Sequence, residues 1–399
     1  MEIRNLSLYN YRNFATVDQI EFPSQALLVA AAPNATGKTN FLESVYVLLR
    51  GKSWRVATEE CVRWGEDSFI VRGTVDRAGG EGVIGVRYHK PSRRLRIEEN
   101  GVPASPVTFF SHYPFEIFLP EDSFLFSRGP AQRRNFMNRV LVSSPVYVSA
   151  LVQFQRALKQ RNALLKTAKS FSDILGWTQL LVEQAVVVWQ QRKALVDYIN
   201  TNIAEWYEKV SGESKKFNVQ LEGALPDKDE YMKLLEEMFG LEKRYGYTIN
   251  GPHRDDLVVK SEKRLLATAF SQGQGRSAVI AVKLAAHKFM ENVTKEKPLL
   301  LLDEVLSELD EKRQDFLLKN LPEAQILLTC TAVPNILRQR SNVHLLDLGL
   351  IVRQDEKENQ SGKTNSEGGE AEKENGEEEP AESKEPVLLV GNVVEEKIG

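Results

Sequence analysis

Cysteine is almost missing from this 399-residue sequence, and the two present, Cys61 and Cys330, form no metal-ligand spacing. Cys330 stands inside the apolar run ILLTC, where a buried reduced thiol is expected. Long hydrophobic runs are missing too: none approaches the roughly 18 residues that a membrane-crossing helix requires. The first residues, MEIRNLSLYN, lack the basic-then-apolar pattern of a secretory signal. A cytoplasmic protein with no membrane partner is the expectation. With 42% hydrophobic and 27% charged residues, the composition is that of a folded soluble chain with room for two domains.

The net charge of -3 conceals an uneven distribution. Residues 354–386 hold 12 acids against 4 lysines, and the rest of the C-terminus adds one more negative charge, which leaves the first 353 residues at +6. A basic body with an acidic tail is compatible with a polyanionic partner. The tail, from 354 to 399, has too little apolar surface to fold and is expected to be disordered. Its one apolar island is Pro386-Val387-Leu388-Leu389-Val390.

What is present is organised around residues 26–49, ALLVAAAPNATGKTNFLESVYVLL. An apolar run leads into a loop ending in Gly37-Lys38-Thr39, and helical spacing follows at Phe41, Val45 and Leu48. Strand, phosphate loop and helix are the reading. Backbone N–H groups of such a loop face the β- and γ-phosphates, the lysine adds a point charge and the hydroxyl holds Mg²⁺. The GxxxxGK[ST] pattern asks for glycine where this chain has Ala32. An alanine there costs about 1–2 kcal/mol if the backbone requires positive φ, and nothing if it does not.

Around this centre, residues 2–9 and 18–22 read as strands flanking Asn10-Tyr11-Arg12-Asn13-Phe14, where Arg12 either packs its stem or reaches a phosphate. Gly51 reads as a helix stop. FIVRGTV, GVIGVRYHK and RRLRIEENG read as strands, the last two forming a hairpin across Pro91-Ser92. Its Lys90, Arg93, Arg94 and Arg96 are either a solvated edge or phosphate contacts. From about 116 the pattern turns helical: Glu121 and Asp122 follow Pro120 like a helix start, and a further helix is expected around Tyr231 to Tyr245. Gly129 to Phe136 opens a basic piece with Arg133 and Arg134, and two long amphipathic helices follow as an antiparallel pair, with Ser170 and Asp173 as capping residues. The cluster from Thr248 to Asp256 reads as a positioned polar network. Phe270-Ser271-Gln272-Gly273-Gln274 is a second loop feeding a helix N-terminus, suited to an anion. Last comes Pro298-Leu299-Leu300-Leu301-Leu302-Asp303-Glu304, a buried parallel strand ending in two acids at the ligand crevice of an α/β sheet. There Asp303 can hold Mg²⁺ through water and Glu304 can orient or deprotonate an attacking water.

Taken together, NYRNF, PNATGKTNFLES, GKSWR, GPAQRRNF, ALKQRNALLK, TINGPHRDD, FSQGQGRSAVIAVKLA and LLLLDEVLSELD resemble, in order, the RecF family of bacterial recombination-repair ATPases, from residue 2 to about 350. The resemblance implies an α/β fold: an ABC-type P-loop ATPase head related to SMC proteins, with an inserted helical lobe. The head would comprise residues 1–115 and 246–353, and the lobe 116–245. It further implies that two subunits sandwich ATP. Asn34, Gly37, Lys38 and Thr39 would bind phosphates and Mg²⁺, Arg12 would lie on the nucleotide side, and Asp303 would be the Walker B aspartate; Ala32 and Ala35 depart from the glycines usual in the family. Glu304 would be the catalytic acid, acting with Lys38, and Ser271, Gln272, Gly273 and Gln274 the signature loop that reaches the γ-phosphate across the dimer. Duplex and gapped or junction DNA, with RecR, RecO and RecA, are the implied partners. Lys90, Arg93, Arg94, Arg133 and Arg134 are the DNA contacts proposed from the sequence. Other readings are an SMC-like head such as a defence ATPase, or a transporter's nucleotide-binding subunit. No long heptad arms are present for the former, and the GPHRDD cluster is foreign to the latter.

Overall fold

The computed structural model describes residues 1–348 apart from 25–26, 34–35, 224, 262–263, 339–341 and 347. Asn34, Ala35 and the acidic tail therefore lie outside the described residues. The first part of the chain contains β1 (Glu2–Tyr11), β2 (Phe14–Glu21), β3 (Leu27–Ala31), α1 (Lys38–Arg50), β4 (Ser68–Arg77), β5 (Gly80–His89), β6 (Arg94–Glu99), β7 (Val102–Pro103), α2 (Pro106–His112) and β8 (Phe115–Phe118). Then come α3 (Pro130–Leu141), α4 (Pro145–Leu165), α5 (Leu175–Ser211), β9 (Asn218–Glu222), α6 (Lys228–Glu237) and α7 (Phe239–Tyr245). The last part holds β10 (Asp256–Ser261), β11 (Arg264–Leu265), α8 (Leu266–Ala269), α9 (Gln272–Thr294), β12 (Leu299–Asp303), α10 (Glu311–Lys319), β13 (Ile326–Cys330), α11 (Asn335–Arg338) and β14 (Val343–Leu346).

A parallel sheet in the order β14-β3-β13-β12-β8 forms the centre. Its strands are apolar throughout because both faces are covered. Alternate residues choose sides. Leu28, Ala30, Leu299, Leu301 and Leu327 pack with Phe41, Leu42 and Val45 of α1, while Leu27, Val29, Leu300, Leu302 and Leu328 pack with Ile280 and Leu284 of α9. Each leucine of β12 is 0–1% exposed, and such burial contributes about 1.5–3 kcal/mol per side chain. An antiparallel sheet, β2-β1-β4-β5-β6-β7, covers the far side of α1. The expected hairpin is there: His89 pairs with Arg94.

Helices α4 and α5 run antiparallel, since Arg161 reaches Thr178 while Tyr147 meets Arg192 at the other end. The expected Ser170–Asp173 capping pair forms, with the Ser170 N–H donating to Asp173 at 3.0 Å. At its C-terminal end α5 enters the head, where Val210 joins the core beneath the parallel sheet. Among the described residues no helix is long and apolar enough to cross a membrane.

Three expectations change in detail. The boundary drawn between 115 and 116 cuts through β8, which hydrogen-bonds β12 and so belongs with the head. The stretch 231–245 breaks into α6 and α7 at Met238, and residues 120–124 form one 3-10 turn rather than the start of an α-helix. The lobe and the last third of the chain also share a sheet, because β9 pairs with β10 along Asp256 to Lys260.

Candidate functional site

The C-terminal ends of β3, β13 and β12 converge, and each delivers a polar group to one crevice. Beyond β3, Gly37 takes φ +94° as α1 begins. A side chain at Gly37 is excluded twice over: the left-handed backbone strains any L residue, and a Cβ would stand 2.6 Å from Asn13 Nδ2. Ala32 is not among the positive-φ residues, so glycine's freedom is not required there and alanine is tolerated. Thr36 ties the loop to itself, donating to Pro33 O at 2.8 Å.

Lys38 is buried and points its ammonium inward. It donates to Ala32 O at 2.5 Å and Pro33 O at 3.2 Å, and pairs with Glu304 Oε1 at 2.8 Å. Thr39 donates to Asp303 Oδ1 at 3.2 Å. Gly37, Lys38, Thr39, Asp303 and Glu304, singled out in the sequence, thus come together in one cluster, although 264 residues separate Thr39 from Asp303. Asp303 is buried, and that burial raises its pKa although hydrogen bonds from Thr329 and Thr39 act in the opposite direction. Glu304 adopts φ +49°. A left-handed non-glycine residue stores on the order of 1–3 kcal/mol, a cost typical of functional positions.

Thr329 was not anticipated from sequence. Its hydroxyl donates to Asp303 Oδ1 at 2.7 Å and accepts from the Glu304 N–H at 3.0 Å, so one side chain orients both acids. The available signal was a hydroxyl within an otherwise apolar strand, in register with Asp303.

Glu43 is a second unanticipated centre. It is fully buried on α1. It accepts from Arg12 Nε at 2.8 Å and Nη2 at 2.9 Å, from Arg55 Nε at 2.9 Å and Nη2 at 3.0 Å, and from Ser53 Oγ at 2.5 Å. Burial alone would raise this carboxyl, but the hydrogen bonds from Arg55, Arg12 and Ser53 outweigh it and hold the pKa at about 2. Arg12 donates to Glu43 and to Glu60 O at 3.0 Å, and among the described residues none of its hydrogen bonds reaches the phosphate loop. Its neighbour Asn13 is the residue that abuts Gly37, and it accepts from Asn40 Nδ2 at 2.6 Å.

The second loop lies elsewhere. Ser271 caps α9 and accepts from the Gln274 N–H at 3.3 Å, and its own N–H donates to Gln274 Oε1 at 3.2 Å. Gln274 is held by Lys215 at 2.7 Å and by Glu213 at 3.0 Å. Ser271 and Gln272 are exposed, and Gly273 lies against Arg313, whose Nη1 would be 3.0 Å from a Cβ. None of the described hydrogen bonds or ion pairs joins Ser271, Gln272, Gly273 or Gln274 to Lys38, Thr39, Asp303 or Glu304.

Of the basic residues, Lys90, Arg93 and Arg94 are exposed around the β5–β6 turn. Arg133 is not available to a ligand. It is buried, with Nε and Nη2 on Asp256 at 2.6 and 2.8 Å, and it serves to fasten α3 to β10. Arg134 is half-buried and donates to Asp255 O at 2.9 Å. The expected polar network between 248 and 256 is present. Arg192 pairs with Asp255 at 2.7 Å, Trp189 donates to Asp255 at 3.0 Å, and His253 Nε2 meets Thr248 O at 2.9 Å. Thr248 also accepts from Arg161 at 2.6 Å, and Arg161 pairs with the fully buried Glu242 at 2.7 Å.

No family model matches the chain. Similarity to individual proteins is extensive. A protein of Lachnospira eligens described as DNA replication and repair protein RecF is 32% identical over 355 residues, covering 86% of this chain and 96% of its own length. Its counterpart in Trichlorobacter lovleyi is 33% identical over 367 residues, covering 88% and 98%. Among solved structures, that of the recombination mediator protein RecF-ATP in the RecFOR pathway superposes with a TM-score of 0.76 at 28% identity, covering 84% of this chain and 92% of that one. An Smc head bound to the C-terminal winged-helix domain of ScpA shares the fold, with a TM-score of 0.50 at 16% identity. The order of the motifs, the crevice at the ends of the parallel strands and identity above 30% over more than four fifths of the length show that this chain belongs to the RecF family of DNA replication and repair proteins.

Proposed function

We propose that this protein is an ATP-gated DNA clamp: ATP closes two copies on duplex DNA beside single-stranded gaps, and slow hydrolysis releases them. The observation that supports it most is the pairing of Lys38 with Glu304 and of Thr39 with Asp303 in one crevice, while the capped Ser271 loop is displayed at a separate surface. Among the described residues no hydrogen bond or ion pair joins the two groups, which supports reading them as two half-sites. A second copy in the opposite orientation would bring the Ser271, Gln272, Gly273 and Gln274 loop onto the γ-phosphate held by Gly37, Lys38 and Thr39. Asn34 is assigned to the phosphate loop on the family resemblance alone.

The oxygen donors suit a hard divalent cation. Thr39 Oγ1 and Asp303 Oδ1 stand 3.2 Å apart, near the spacing of roughly 3 Å between adjacent ligands of an octahedral Mg²⁺ at about 2.1 Å. No cluster of three His, Cys, Asp or Glu side chains able to hold a metal exists among the described residues. The ion would therefore rest on Thr39, Asp303, water and phosphate oxygens. Bound MgATP supplies the phosphoanhydride; Lys38 neutralises developing charge and Glu304 positions the attacking water. For Glu304 to do so it must leave Lys38, so phosphate entry and release of the catalytic acid are one exchange. Weak, slow hydrolysis follows from a site completed only on dimerisation. Lys90, Arg93, Arg94 and Arg134 remain as DNA contacts in this reading; Arg133 does not. Partnership with RecR and RecO to help RecA load follows from family membership.

Lys38→Ala and Ser271→Arg separate the parts of this proposal. The former should abolish ATP binding and ATP-driven dimerisation; the latter should keep ATP binding and lose only the dimer. Equal loss of ATP binding in both variants would contradict the sandwich.

A further inference from the structure

The polar network from Thr248 to Asp256 is fastened to the lobe helices, and one of its side chains is left to solvent. The Thr248 N–H donates to Asn162 on α4 at 2.8 Å. On α5, Arg192 donates to Pro252 O at 2.6 Å and to Asp255, which Trp189 also reaches. His253 turns inward to Thr248 O. Of these nine residues only Arg254 is exposed, and it stands between two neighbours, His253 and Asp255, that the network holds in place.

Two aromatic rings stand beside it. Tyr245 ends α7, Gly246 takes φ +76° and Tyr247 follows, a left-handed step that glycine adopts without strain. The reversal stacks the flanking phenol rings, with centroids 5.8 Å apart and 29° between their planes. The Arg254 guanidinium lies over the Tyr247 ring, 5.3 Å from its centroid, so that Arg254, Tyr247 and Tyr245 form one row. Tyr245 is 56% exposed and Tyr247 37%, and among the described residues neither hydroxyl has a hydrogen-bond partner. Positive charge borders the row. Lys243 and Arg244 occupy the last turn of α7, and Lys166 lies against Gly246, its Cε 3.8 Å from where a Cβ would stand. These three cations and Arg254 are exposed, and among the described residues none of them forms an ion pair.

We infer that this row is a stacking platform for single-stranded DNA: a base lies on the exposed Tyr245–Tyr247 pair while Arg254, Lys166 and the end of α7 hold the neighbouring phosphates. Open aromatic faces take any base and flanking cations follow the backbone, the combination by which single strands are bound without sequence preference. Duplex offers no free base face, so the rings select the unpaired strand. The buried network then has a use. Thr248 adjoins Tyr247, His253 adjoins Arg254, and the contact of His253 Nε2 with Thr248 O at 2.9 Å holds the ring and the guanidinium in register. The source of the strand, a gap beside clamped duplex, rests on the DNA-binding reading above; the chemistry of the platform does not.

The test is fluorescence anisotropy of the full chain, without ATP, on two labelled strands: an oligothymidine of about 15 nucleotides, within the span of such sites, and an abasic strand of equal length and charge. The native protein should bind the oligothymidine about fivefold or more tightly than the abasic strand, the effect of stacking one base. Tyr245→Ala and Tyr247→Ala should each remove that preference, whereas Tyr245→Phe and Tyr247→Phe, which keep the ring, should retain it. Arg254→Gln should weaken binding of both strands and make its salt slope shallower by about 0.7, the value for one single-strand phosphate. Equal binding of the two strands to the native protein, which requires no variant to fold, would overturn the inference and is what a surface for a protein partner would give. So would a preference that survives both alanine variants. Neither duplex nor dimerisation enters this assay, so failure of the clamp leaves its result standing, and the reverse.

Discussion

Replacing Glu43 by Gln tests whether the buried charge cluster beside the phosphate loop is a built part of the head. In the native protein two guanidiniums and one hydroxyl converge on a carboxylate that has no exposure. Glutamine keeps the shape and removes the charge, leaving Arg12 and Arg55 without a counter-ion. Removing one partner from such a group costs about 3–5 kcal/mol. The pH dependence gives a sharper signature. The folded pKa of about 2 lies below the usual carboxylate value of 4.5, so the stabilisation is fully present above pH 4.5 and is lost as pH falls toward 2. Linkage between those two values makes the total about 3 kcal/mol, of which about 1 is lost by pH 4 and about 2 by pH 3. Urea unfolding of native and Glu43→Gln proteins between pH 7 and pH 3 should therefore show a stability gap that narrows with acid. A gap below about 1 kcal/mol at pH 7, the size of an ordinary substitution, or one that stays constant across the series, would refute the reasoning.

Two other perturbations address the site and the DNA surface. Thr329→Val removes the hydroxyl shared by Asp303 and Glu304, with a stability cost of about 1–3 kcal/mol. Because that hydrogen bond lowers the Asp303 pKa, its loss raises the pKa further, and the acid limb of ATP hydrolysis should move to higher pH; an unmoved limb would sink the assignment. Arg94→Ala should reduce the DNA salt slope by about 0.9, the value for one phosphate, and leave stability unchanged. Arg133→Ala should do the reverse, lowering the urea midpoint by breaking the Asp256 pair with no change in slope, and a changed slope would return Arg133 to the DNA surface.

Much of the head was legible because its signals are local. Continuous apolar runs announced β3, β12 and β13, the change from run to loop to helical spacing announced the phosphate loop, and Gly51 ended α1 in the left-handed conformation expected of a stop. Asp303 and Glu304 were legible because two acids at the end of a buried strand have few structural reasons to be there. What could not be read was long-range pairing. Arg133 stands in a basic stretch like a phosphate contact, yet its partner Asp256 is 123 residues away, and the same holds for Arg12 and Glu43 across 31 residues. An arginine's sequence surroundings say little about whether a carboxylate will reach it. Ala32 illustrates the converse: the motif asked for glycine, but only backbone geometry shows that the position does not need it. The break at Met238 was missed because α6 and α7 carry one nearly continuous helical pattern, and two sheet strands assigned to different halves, β9 and β10, could be joined only by topology.

The most direct measurement is sedimentation of a Glu304→Gln variant, which slows hydrolysis, with and without ATP and Mg²⁺ and in the presence and absence of gapped duplex DNA. The clamp predicts a monomer without nucleotide, a dimer with MgATP, and a dimer that retains DNA while MgATP is present. A monomer under every condition, with no nucleotide bound, would contradict it and would leave the repair role resting on DNA binding alone.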